Sequence, residues 1–107
     1  MIEVIYYREH NRVTMDGHAE TAPIGEDIVC AAASILARTL AANVNHLVGI
    51  GAATAPVVEL QEGYAEISCK ANHKYRSVVQ STFEAVCVGF EILHNGAEGA
   101  VRYLIRG

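Results

Sequence analysis

Apolar and polar residues alternate from the start of the chain, in Ile2-Glu3-Val4-Ile5-Tyr6-Tyr7, and a second β-rich run, Val13-Thr14-Met15-Asp16, follows the turn-prone Glu9-His10-Asn11. Residues two apart share one face of a strand, so the two runs predict an antiparallel hairpin. Positions 19 to 26 show no period and contain Pro23 and Gly25, which predicts a loop. Asp27 then stands where a carboxylate caps a helix by accepting a hydrogen bond from the backbone N–H of the third helical residue, Cys30. Val29, Ala33, Leu36, Leu40 and Val44 recur in steps of three or four and form the core-facing stripe of that helix. Its many alanines leave room for another element to approach closely.

The period returns to two in Val57-Val58-Glu59-Leu60-Gln61 and Tyr64-Ala65-Glu66-Ile67-Ser68-Cys69, which flank Glu62-Gly63 as the strands of a second hairpin. From about Lys74 to His94 a second helix carries Val79, Phe83, Val86, Phe90 and Leu93 on one face, with Arg76, Gln80, Glu84 and Glu91 turned away. Asn95-Gly96 stops it. The order β-β-α-β-β-α describes an α+β two-layer sandwich, with Val101–Arg106 apolar enough for a short C-terminal strand. No internal repeat or linker divides residues 1–107, so a single domain is expected.

The chain has 107 residues and a net charge of -4, and its 8 basic residues are scattered. Without a stripe of Lys and Arg, direct binding to nucleic acid or to an anionic membrane is not expected. Positions 28–47 are apolar overall but contain Ser34, Arg38, Thr39, Asn43, Asn45 and His46, too polar for an isolated bilayer span. Glu3 and Arg8 interrupt the start where a secretory signal would run apolar. Three cysteines, Cys30, Cys69 and Cys87, leave one unpaired in any disulfide scheme and form no C-x-x-C pair, which fits a reducing, cytoplasmic setting. No glycine-rich phosphate loop is present, so nucleotide-driven chemistry has no support.

Two cysteines read as packing. Cys87 follows Phe83 by four and precedes Phe90 by three, and Cys69 alternates with Ala65 and Ile67. Cys30 differs, because a thiol in a first helical turn feels unpaired N–H groups that favour the thiolate and can receive an oxyanion. His18, between the small Gly17 and Ala19, could serve as its base. Its competing reading is a strand-end histidine bonded to a backbone carbonyl. Asp27 is first a cap and Ser34 first a small packing residue, and either could orient a site group. A metal site would need three or four convergent ligands from His18, Cys30, Cys69 and His73, whose spacing matches no common zinc pattern. No cofactor is expected.

The block Gly17-His18-Ala19, then Gly25, Asp27-Ile28-Val29-Cys30-Ala31-Ala32 and Ser34 resembles the ribosomal-processing cysteine protease family, Prp. The spacing of twelve from His18 to Cys30 is similar to that family's, and the element order resembles it over nearly the whole chain. The resemblance implies that His18 and Cys30 form a catalytic dyad, with supporting roles for Gly17, Asp27 and Ser34. It also implies removal of a short N-terminal extension from bacterial large-subunit ribosomal protein number twenty-seven, a homodimer, and a mobile loop between histidine and cysteine. The loop over 20–23 lacks the aromatic residue found in many members, and phage relatives point to a capsid precursor as the alternative peptide substrate. Two further alternatives are a thiol-dependent redox or thioester-transfer enzyme and a non-enzymatic, ribosome-associated binding module.

Overall fold

A computed structural model describes residues 1–17, 23–97 and 99–107, and for 23–27 the backbone alone. The elements run β1 (Ile2–Tyr7), β2 (Arg12–Gly17), α1 (Pro23–Gly49), β3 (Ala53–Gln61), β4 (Tyr64–Ala71), α2 (Arg76–Gly96) and β5 (Val101–Arg106), with 3-10 turns at Arg8–His10 and His73–Tyr75. The strands form one sheet in the order β3-β4-β2-β1-β5. All neighbours are antiparallel except β1 and β5, which run parallel with Ile2 opposite Val101.

The alternation decides which side of the sheet is buried. Ile2, Val4 and Tyr6 of β1 are buried, as are Val13 of β2, Ala65, Ile67 and Cys69 of β4, and Val101 of β5. Register places Tyr6 opposite Val13 and Val13 opposite Ile67, so these side chains line one face. Both helices cover that face. α1 contributes Ala33, Ala37, Leu40, Ala41, Val44 and Leu47, and α2 contributes Val79, Phe83, Cys87 and Phe90. Tyr6 stacks on Phe83 with ring centroids 6.3 Å apart, and Phe90 stacks on Tyr103 at 6.4 Å. Such pairs are worth about 1 kcal/mol beyond their burial.

The helices meet closely at one point. A Cβ on Gly89 of α2 would run into the side chain of Leu36 on α1. The missing side chain sets the distance there, and the small Ala33, Ala37 and Ala41 of α1 are sealed in the core. By length and composition Ile28–Gly49 is long and apolar enough to cross a membrane. In the fold its inner stripe is core, packed on α2, β3 and β4.

Several boundaries differ from the sequence expectation. α1 begins at Pro23, so 23–26 belong to the helix, and the remainder of the expected loop, 19–22, lies outside the described residues. Proline suits a helix start because its missing N–H is one that a first turn leaves unpaired. Asp27 is therefore inside the helix, and the cap role assigned to it does not hold. β3 begins at Ala53, with a register shift between Thr54 and Val57 and Ala55 at φ 50°. β5 is present and forms the edge beside β1.

Candidate functional site

Cys30 is the eighth residue of α1, about 10 Å along the axis from Pro23 at 1.5 Å per residue. Only the first four N–H groups of a helix lack intrahelical partners, and the terminal field fades within a turn. The expected first-turn position of Cys30 is thus corrected: the N–H groups around it belong to the helical ladder and do not receive an oxyanion. Its distinction is accessibility. Cys30 is half-buried at the margin of the core, whereas Cys69 and Cys87 are sealed at 5% and 3% exposure. Burial pushes the Cys69 thiol up. It pushes Cys87 up to about 11, against the lowering effect of the hydrogen bond that the Tyr103 hydroxyl donates to its sulfur. Both thiols stay protonated and inert at neutral pH.

The β2 end lies at the same end of the molecule as the β3–β4 turn. Gly17 closes β2, and its N–H donates to the Gly63 carbonyl at 2.9 Å, in the turn between Gln61 and Tyr64. Gly17 holds φ 104°, a value that L side chains rarely adopt, and a Cβ there would run into the Met1 carbonyl. Glycine is thus required at this point. His18 follows it in the chain and lies outside the described residues, as does the expected loop over 19–22.

α1 reaches this end antiparallel to β3. Ser34 and Arg38 of α1 line a cleft of about 270 Å³ together with Met15 of β2 and Leu60, Gln61 and Glu62 at the β3–β4 turn. Ser34 is exposed at the cleft wall, so its expected packing role does not hold. Cys30 lies one turn, about 6 Å, nearer the helix start than Ser34. The structure therefore brings Gly17, Ser34 and the turn of α1 that carries Cys30 to one end of the sheet. It leaves Asp27 three positions before Cys30 on the helix backbone, with its side chain outside the described residues.

Other histidines are placed elsewhere or engaged. His46 lies in the last turn of α1, some 24 Å along the axis from Cys30. His10 and His73 sit in the 3-10 turns at the opposite end of the sheet. The Nδ1 of His94 is within hydrogen-bonding distance of two backbone groups of β5, the Val101 carbonyl at 3.1 Å and the Tyr103 N–H at 3.3 Å. Among the described residues, no three His, Cys, Asp or Glu side chains converge as metal ligands. The cleft beside Ser34, with Arg38 and Glu62 as its charged members, was the feature sequence reasoning missed. It depends on the nonlocal approach of the β3–β4 turn to α1, which no local spacing reveals.

The profile of the cysteine protease Prp family matches residues 1–102. This chain belongs to that family. The enzyme is accordingly a cysteine protease. Two crystal structures of the essential ribosomal-processing protease Prp from S. aureus share its fold. One, with a covalently linked product peptide, is 23% identical with a TM-score of 0.68, and the alignment covers 98% of this chain and 97% of that one. The other, with a substrate peptide, is 22% identical with a TM-score of 0.67 and the same coverage. SMU.848 from Streptococcus mutans is 29% identical with a TM-score of 0.68, over 98% of this chain and 91% of that one. A comparison with curated proteins finds no match.

Proposed function

We propose that this protease removes the N-terminal extension of large-subunit ribosomal protein number twenty-seven, with Cys30 as nucleophile and His18 as its base. The observation that carries the reading is the placement of Cys30. It is the one cysteine outside the sealed core, and it lies on α1 at the end of the sheet where Gly17 leads into His18. The S. aureus relatives, a ribosomal-processing protease with a substrate peptide and with a covalently linked product peptide, support a peptide substrate and a covalent intermediate.

In the proposed reaction His18 takes the thiol proton, and the Cys30 sulfur attacks the scissile carbonyl. Collapse of the tetrahedral adduct breaks the C–N bond, and His18 returns the proton to the leaving amine. A water molecule, deprotonated by His18, then hydrolyses the thioester and regenerates the thiol. The donors for the oxyanion come from outside the α1 ladder, whose N–H groups are already used. No metal or organic cofactor takes part. In this reading the protease acts in the cytoplasm and as a homodimer, and the pairing of two copies is supported by the apolar outer helix surface, where Ile28, Ile35 and Ile92 are each at least 60% exposed.

The test is incubation with the ribosomal protein and measurement of product mass. The wild type should release one N-terminal fragment, and His18→Ala and Cys30→Ala should each abolish its release while circular dichroism stays unchanged. The double variant should be no worse than either single one, because the two groups act as a unit. Limiting iodoacetamide should label Cys30 ahead of Cys69 and Cys87. Fragment release by folded Cys30→Ala would refute the assignment.

A further inference from the structure

Among the described residues, β3 borders the sheet on the α1 side with no strand beyond it. Its partner register with β4 closes at Gln61 and Tyr64 across the two-residue turn Glu62-Gly63. In such a hairpin the closing pair exchanges both backbone hydrogen bonds, and the residues alternating with it point their N–H and C=O away from the partner strand. Gln61, Glu59 and Val57 therefore bond β4, whereas Leu60 and Val58 present their backbone at the free edge. Neither makes a backbone bond to a loop or another element among the described residues.

The same two residues carry an apolar shelf. Val58 and Leu60 lie opposite the buried Ile67 and Ala65, on the helix side of the sheet, yet they are 39% and 41% exposed. Leu60 also lines the cleft formed with Ser34, Arg38 and Met15. Edge strands are commonly blunted by bulges, prolines and charges. Here the irregularity at Thr54–Val57, which contains Pro56, separates the paired stretch 57–61 from the pairs at 53 and 54, and Glu59 is that stretch's sole charge, on the face away from the shelf. The opposite edge, β5, carries Arg102 and Arg106 and is four strand spacings away, about 19 Å.

An unpaired backbone ladder, alternate apolar side chains and a cleft at its end are the elements by which a sheet edge takes up an extended peptide. The ladder ends at the β3–β4 turn that holds Gly17, on the side of α1 that carries Cys30, so a peptide laid on it passes directly into the catalytic end. We propose that β3 is the substrate-docking strand: an extended peptide pairs with Val57–Gln61 as a sixth strand and places an apolar side chain in the cleft between Ser34, Arg38 and Leu60. This rests on the peptidase reading of Cys30. The substrates it selects are unstructured segments with apolar residues two apart on the side of the scissile bond that lies along β3.

The test uses Val58→Pro. Its ring removes an N–H that points off the edge, a position where proline is compatible with a strand. Wild type and variant are incubated with a tryptic peptide library from a whole bacterial proteome, which supplies scissile sequences irrespective of source. The variant should cleave the same peptides at least tenfold more slowly below saturation, while its melting temperature and its rate of iodoacetamide reaction at Cys30 remain those of the wild type. In parallel, the best-cleaved peptide added to Cys30→Ala should slow hydrogen exchange at the Val58 and Leu60 amides, a readout that does not depend on the proline variant folding. Unchanged exchange at both amides on binding, or equal cleavage by a folded Val58→Pro, overturns the docking strand and leaves the peptidase reading intact. Absence of any cleavage by the wild type overturns both.

Discussion

Replacing Gly17 by alanine tests the junction between the sheet and His18, the proposed catalytic base. The residue holds φ 104°, and a Cβ would collide with the Met1 carbonyl, part of the backbone rather than a movable side-chain tip. A non-glycine residue in such a region costs on the order of 1–3 kcal/mol, and displacing Met1 adds to it. A total of about 3 kcal/mol corresponds to a fall in melting temperature of roughly 10–15 °C in a domain of this size. Because the N–H of Gly17 also bonds the Gly63 carbonyl, a shifted backbone moves the start of the His18 segment relative to the β3–β4 turn. Cleavage at 20 °C should therefore fall at least tenfold even while the protein remains folded. Gly49→Ala is the control, since its Cβ would meet nothing within 4 Å and its φ is ordinary. Thermal melts by circular dichroism and cleavage kinetics on the same preparations decide the outcome. If Gly17→Ala melts and cleaves like Gly49→Ala, the geometric requirement at position 17 is wrong.

Gly89→Ala should respond to its neighbour: in the wild-type background a packing cost of about 1–3 kcal/mol offsets a helix-propensity gain of about 1 kcal/mol, whereas with Leu36→Ala the gain stands alone. Urea midpoints measure this, and the same effect in both backgrounds would show that the helices do not meet there. Alkaline stability should depend on Cys87. Its thiol is raised from 9.0 to about 11 by burial, so the native state holds the proton more tightly than the unfolded chain, and the contribution is complete below pH 9 and lost as pH rises through 11. Two units correspond to about 3 kcal/mol at most. Urea midpoints at pH 8 and 10.5 should diverge less in Cys87→Ala than in the wild type, and an equal loss would refute the assignment.

Local period made the two hairpins and the cores of both helices legible. The buried row Ile2, Val4, Tyr6 follows from alternation alone, and Ala33, Leu40 and Val44 follow from helical spacing. The inward placement of Cys69 and Cys87 was legible for the same reason. The start of α1 was not. Pro23 and Gly25 read as breakers, yet proline is tolerated in a first turn and the long apolar stripe beyond carries the helix through the glycine. That misreading put Cys30 in a helix-start field which the fold does not supply. The sheet order was equally hidden, because the pairing of β5 with β1 joins segments about a hundred residues apart, and no local pattern records such a choice. The family resemblance found what periodicity could not, that this chain is a cysteine protease.

The parallel pairing of β5 with β1 also governs when the molecule can be complete. During synthesis β1 emerges first and finds β2 at once, since their residues are neighbours, but its other edge waits until the codons for 101–106 have been read. Throughout that interval the row Ile2, Val4, Tyr6 lies at the border of an unfinished sheet, with an open ladder beside it. Phe83 and Phe90 of α2, which cover this part of the core, also arrive late. Loop-closure entropy over so long a span makes this pairing slow relative to the hairpins. A chain interrupted before β5 leaves a ribosome as a four-stranded sheet with β1 as a sticky border, prone to pair with another copy.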